Sequence, residues 1–291
     1  MKMAFHIGVH GTDGDRLLRT LQENSDELLR HETEIVPPDR HSEFLDQTLM
    51  QLQGGTATDE IEALLLDSLL VTEEPQRAIF SSTSFLGAVG RIIGQPGFYW
   101  QLGTRAASLV NLFPNQDVEI FAAIRNPATL LSDMLPHFWG GDYEKFMQGH
   151  HPEALRWREP ARQLVQAVQG RRVVLWCHED APLIWPEVIR LISDVDPDTP
   201  MKATMLYMKE LLDAQAFEKL RETLGTQDRL SVAGRREICA RFLQDHAGDD
   251  ALAQEIDMPG WTQELIDRMT ENYYQDVAEI AAMPGVEFII P

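Results

Sequence analysis

Four short polar stretches, each following an apolar run, hold the residue types that could do chemistry in this 291-residue chain. The first is Gly8-Val9-His10-Gly11-Thr12-Asp13-Gly14-Asp15-Arg16-Leu17, a glycine-rich turn leading into a helical pattern. Backbone N–H groups and the positive end of a helix converge on an anion in such a context, so Gly11, Thr12 and Gly14 are candidate phosphate-binding residues. The terminal Gly-Lys-Ser/Thr of a Walker A loop is absent. A tight strand-to-helix turn capped by Asp13 or Asp15 accounts for the same residues. The second stretch, Ser81-Ser82-Thr83-Ser84, offers hydroxyls that either cap the next helix or, at Ser82, meet a ligand. The third is Arg125-Asn126-Pro127 with Ser132 beyond it. Arg125 is either the partner of a structural carboxylate or a bidentate fork for phosphate, and Pro127 sets a first helical turn. In the fourth, Cys177-His178-Glu179-Asp180, Asp180 can cap a helix while His178 or Glu179 can take a proton as general base. His6 and His10, with Asp13 and Asp15, are of metal-ligand type, but strand alternation parts His6 from His10; they read as packed histidines and no metal site is expected.

These stretches can meet only if the apolar runs before them are neighbouring strands. Residues 3–9, 77–81, 118–124, 172–176 and 286–290 are short, apolar and often β-branched or aromatic, as parallel strands covered on both faces should be. Helical spacing fills the intervals, for example Leu17, Leu18, Leu21, Leu28 and Leu29, then Ile61, Leu64, Leu65 and Leu69, then Leu164, Val165 and Val168. The alternation predicts an α/β fold, a doubly wound parallel sheet with helices on both faces, whose ligands bind beyond the carboxyl ends of the strands. All four polar stretches then fall on one rim. Residues 197–259 carry helical patterns without a convincing strand and read as a helical insertion, packed on the sheet, within a single domain over 1–291. The acidic run 245–257, with Gly248, Asp249 and Asp250, reads as a solvated loop and helix start. A closing helix over 263–283 turns at Pro284-Gly285 into the last strand.

A net charge of −21, from 46 acidic against 25 basic residues, disfavours nucleic acid and anionic membrane surfaces as partners. A small-molecule ligand or a protein partner is expected instead. Cys177 and Cys239 form no CxxC pair, which fits two buried thiols in a reducing compartment. With no signal-peptide pattern and no stretch approaching the ~18 apolar residues of a membrane span, the expected location is the cytoplasm.

The stretch His6-Ile7-Gly8-Val9-His10-Gly11-Thr12, followed by Leu17 to Leu21 and the Asn24 region, resembles the opening of bacterial sulfotransferase-like proteins. Ala123-Ile124-Arg125-Asn126-Pro127 with Ser132 resembles the second signature of that family. Ser81-Ser82, residues 176–185 and Pro284-Gly285-Val286 are similar to further parts of it. The resemblance implies a P-loop-type fold and transfer of a sulfuryl group from 3′-phosphoadenosine 5′-phosphosulfate to an alcohol or amine. It implies that the first loop holds the 5′-phosphosulfate, that Arg125 and Ser132 hold the 3′-phosphate, and that His178 or Glu179 activates the acceptor.

The chain departs from that pattern at three places. Gly11 stands where the family has a lysine that stabilises the leaving oxygen. Asp13 and Asp15 stand where it has small or hydroxyl residues, and two like charges at 4 Å repel by about 4 kcal/mol at an effective dielectric of 20. Ser132 lies one residue short of the family's spacing from Arg125, leaving Asp133 at the expected position, and one residue on a helix is a rotation of about 100°. Two functions are therefore expected. One is a sulfotransferase-like binding or regulatory protein, weak or inactive in transfer. The alternative is an active sulfotransferase in which Arg16 replaces the missing lysine and His178 or Glu179 is the base.

Overall fold

In the computed structural model the described residues are 1–226, 230–248 and 254–291. The strands are β1 (Lys2–Ile7), β2 (Thr33–Val36), β3 (Arg77–Ser82), β4 (Ile93–Gly94), β5 (Gly97–Phe98), β6 (Asp117–Ile124), β7 (Val173–Cys177) and β8 (Val286–Ile289). Six of them form one sheet in the order β2-β3-β1-β6-β7-β8, with every pairing parallel. All five apolar runs are strands of this sheet. The sixth, β2, escapes a hydrophobic pattern because it is four residues long and begins Thr33-Glu34. The buried Glu34 carboxylate is satisfied by Arg40 and by the N–H groups of Val71 and Thr72.

Strand order reverses at β1, which has β3 on one side and β6 on the other. The crevice beyond the carboxyl end of such a strand is where doubly wound sheets bind ligands. Helices cover both faces. On one, Leu17 and Leu21 of α1 (Arg16–Glu23), Leu28 of α2 (Ser25–Arg30) and the apolar side of a later helix, Ala181–Ser193, pack on Ala4, Ile79, Phe121 and Trp176. The opposite face of β1, with Met3, Phe5 and Ile7, is covered by α3 (Pro38–Leu52), α4 (Asp59–Leu69), α5 (Leu102–Leu112), α6 (Pro127–Met134) and α8 (Arg158–Ala167), the last following the short α7 (Tyr143–Met147). Burial on both sides is why the strands read as continuous apolar runs. The helix over Ala181–Ser193 is α9.

The insertion is helical as expected: α10 (Leu206–Leu211), α11 (Ala214–Gly225) and α12 (Val232–His246). Tyr207 of α10 joins the core on one sheet face with Trp176 and Trp185, and much of the rest packs outside it. Met208, Leu212, Ala216, Leu220, Cys239 and Leu243 make a cluster of their own against Leu183 of α9, and Arg235 forks onto Glu187 at 2.7 Å. Asp249 and Asp250 of the acidic run lie outside the described residues. The closing helix α13 (Gln263–Ala281) starts at a Thr262 cap and leads through Gly285 into β8. Both cysteines are free and buried. Among the described residues no helix is long and apolar enough to cross a membrane.

Candidate functional site

The loop from β1 to α1 is bent by left-handed backbone at Gly11 (φ 66°), Gly14 (φ 55°) and Asp15 (φ 63°). The Thr12 hydroxyl donates to Val9 O at 2.6 Å and tightens the first bend. Among the described residues the N–H groups of Gly11, Asp13, Gly14 and Asp15 find no protein acceptor. An internal carboxylate sits beside them at the start of α1. Asp13 is 4% exposed, and its Oδ2 accepts the Leu17 N–H at 3.1 Å, capping α1 with the chain's own carboxylate. Asp15 is exposed and makes no such bond.

Arg125 leaves the end of β6 beneath this loop. Its Nη1 donates to Gly11 O, its Nε to Thr129 Oγ1 at 3.2 Å, and its Nη2 to Gln254 Oε1. The same Nη2 lies 2.6 Å from Asp133 Oδ2, and Gln254 also donates to Asp133. The Arg125 guanidinium is thus met by a carboxylate from the next helix, the structural alternative for this residue. Asn126 caps that helix through Ala128 N–H, and Pro127 occupies its first turn, so α6 carries Thr129 and Asp133 toward Arg125 four residues apart. Arg16 donates from Nε to Glu210 at 2.6 Å and from Nη1 to Asp13 O at 2.9 Å, with its guanidinium 4.9 Å from the Tyr207 ring centre.

These groups line a cleft of about 610 Å³ at the switch point, with Gly11, Thr12, Gly14, His178 and Glu179 on its walls. Burial, and then the positive charges of Arg125 and Arg16, push the His178 ring down to about 4, so it stands neutral at pH 7. Glu179 is engaged on both oxygens, accepting from Asn126 N–H and from the Tyr273 hydroxyl, each at 2.8 Å. Compared with protein-family models, curated proteins and solved structures, the chain matches nothing.

The structure therefore brings together Gly11, Thr12, Gly14, Arg16, Arg125, His178 and Glu179. Ser82 and Ser132 are not among the lining residues. Ser82 instead accepts the Ser84 N–H at 3.1 Å as a cap, the structural alternative for that stretch. Ser132 is turned away while its helix neighbours Thr129 and Asp133 face the cleft. Tyr207, Glu210 and Gln254 come from the insertion region, where a helical pattern gives no sign of which face meets Arg16 or Arg125, more than 120 residues away in sequence for Glu210 and Gln254. His6 stacks on Trp176 and bonds Ser81, whereas His10 bonds Tyr99 and Gly87 O, so the two histidines face different partners. Among the described residues no group of three or more His, Cys, Asp or Glu side chains could hold a metal ion.

Proposed function

We propose that the chain is a sulfotransferase-like binding or regulatory protein, weak or inactive in sulfuryl transfer, whose switch-point cleft takes a small anionic ligand of the nucleotide type. One observation carries the reading: both features that would attract the phosphates of 3′-phosphoadenosine 5′-phosphosulfate are occupied by internal carboxylates, the start of α1 by Asp13 and the Arg125 fork by Asp133. Charge already neutralised this way is unavailable to stabilise a leaving oxygen unless the carboxylate moves. Arg16, the other cation at the loop, is paired with Glu210. The reading includes a cytoplasmic setting, supported by two free buried thiols.

The test is calorimetric titration with adenosine 3′,5′-bisphosphate beside an assay of labelled sulfate transfer to alcohols and amines. Weak binding with no transfer is expected. Turnover at about 1 s⁻¹ or more, within the ordinary enzyme range, would overturn the reading. An active sulfotransferase is the second reading, favoured by His178, a neutral imidazole in the same cleft as Arg16 and able to accept a proton.

A further inference from the structure

A second cleft of about 620 Å³ opens between α3, the turn after β3 and the start of α5. Two arginines meet there. A methyl group placed on Gly87 would lie 3.6 Å from Arg91 Nε and 3.6 Å from Arg105 Nη2, so the two guanidinium groups are within about 7 Å of each other. In a chain of net charge −21 most described cations have a carboxylate, as Arg16 has Glu210 and Arg125 has Asp133. Arg91 and Arg105 have none within ion-pair distance among the described residues; Arg91 donates only to the neutral Gln101 Oε1, at 3.1 Å. The first turn of α5 beside them holds no acidic residue, so its positive end adds to the same field. Ser84, Thr104 and Ser108 bring hydroxyls to the cleft. Its mouth is apolar: Met50 is 69% and Trp100 36% exposed, with Phe85 inside.

We propose that this cleft is a binding site for a small organic anion, with a phosphate or carboxylate head between Arg91 and Arg105 and an apolar body against Met50, Phe85 and Trp100. Paired cations with a fork geometry suit an oxyanion, and an apolar wall with a few convergent polar groups is the usual build of a small-molecule site. Asp46 of α3 also lines the cleft and disfavours a ligand that is charged at both ends. The site is separate from the switch-point cleft, and the loop after β1 touches both. His10, in the loop after β1, donates from Nε2 to Gly87 O at 3.0 Å and accepts from the Tyr99 hydroxyl at 3.0 Å.

The experiment titrates the full chain at low salt with phenyl phosphate, benzoate and inorganic phosphate, read by calorimetry and by tryptophan fluorescence. Phenyl phosphate or benzoate should saturate, and whichever binds more tightly identifies the head group. Inorganic phosphate should bind at least about tenfold more weakly than phenyl phosphate, since it lacks the apolar body. Arg91→Gln and Arg105→Gln should each weaken the aryl anion by about tenfold while leaving the thermal midpoint unchanged or raised, because each removes a cation repelled by its neighbour. Trp100→Phe should keep calorimetric binding and lose most of the fluorescence change. Lys219→Gln, which removes an exposed cation of α11 that lines neither cleft, should leave phenyl phosphate binding as it was. No saturation by either aryl anion up to about 10 mM, or binding that survives both arginine changes, or a response to Lys219→Gln as large as to Arg105→Gln, overturns the proposal. Such a failure leaves the switch-point reading standing, because that reading is tested with a different ligand in a different cleft.

Discussion

At Arg125 a single carboxylate competes with any incoming phosphate. Asp133 is 40% exposed at its side chain, so water screens the pair and its net worth is small, yet it still opposes a second anion on the same guanidinium. Asp133→Asn should therefore tighten adenosine 3′,5′-bisphosphate by roughly tenfold, about 1.4 kcal/mol. Calorimetry on both proteins checks this, and equal or weaker binding by the variant would count against the occupied-fork argument. Gly11 is the other informative residue. Its φ of 66° disfavours any side chain, and a Cβ there would meet Arg125 Nη1 at 2.9 Å and Met134 Cε at 3.0 Å. Gly11→Ala should cost about 1–2 kcal/mol from the left-handed backbone alone, measured as a lower urea midpoint. Gly11→Lys would carry the same strain, so it does not simply add a cation to the loop. The expected resemblance to sulfotransferase-like proteins singles out Gly11 and Asp133 by position alone. It cannot show that the two residues converge on one guanidinium, because that depends on the rotation of α6 and the reach of the loop.

Among the elements, α3 is docked through a histidine. His41 is fully buried, its ring stacked on Phe85 at 5.3 Å and edge-on to Phe80 at 5.5 Å, and neither ring nitrogen has a partner among the described residues. Burial pushes it down to about 4, against a smaller upward pull from Asp39. The folded protein thus keeps the ring neutral where the unfolded chain, titrating near 6.5, takes up a proton. Stability is lost as pH falls from about 6.5 toward about 4, and His41 should contribute about 2 kcal/mol of that loss between pH 7 and pH 5. His6, His10 and His178 are shifted the same way and share the acid sensitivity. Urea unfolding of wild type and His41→Phe at both pH values isolates the His41 part: the variant should lose less on acidification, and an identical loss would show that α3 is not held this way. The strong helices and the fully buried strands were legible because their periodicity is long and their burial complete. β2 was not, since Thr33 and Glu34 break the pattern and a buried glutamate is recognisable only once Arg40 and the 71–72 backbone are seen around it.

Across the whole molecule the two ends of the sheet do different work. Beyond the carboxyl ends of β1 and β6 lie the loop, Arg125 and the cleft; near their amino ends lies a buried ion network about 17 Å away, the length of a six-residue strand. There Arg77 of β3 donates to Glu119 of β6 across β1 and to Ile192 O of α9 at 2.7 Å, and Arg172 before β7 reaches the other Glu119 oxygen at 3.2 Å. Arg77 and Glu119 are 2% and 3% exposed. Sequence alternation placed both residues in strands but gave no reason to pair them, because their partnership spans a strand that lies between them only in the folded sheet. Glu119→Ala leaves buried Arg77 with only the longer, half-exposed pairing to Asp194 at 3.8 Å and should cost about 3 kcal/mol. The double change Glu119→Leu with Arg77→Met removes both charges and should cost much less, since a buried pair is often replaceable by apolar residues of similar volume. Chemical denaturation of the single and double variants decides this, and additive losses would mean the pair is not coupled. Provided the single variant remains folded at 25 °C, adenosine 3′,5′-bisphosphate affinity should be unchanged in it, because the network touches none of the residues that line the switch-point cleft. A parallel fall in affinity would mean instead that the sheet transmits strain from one end to the other.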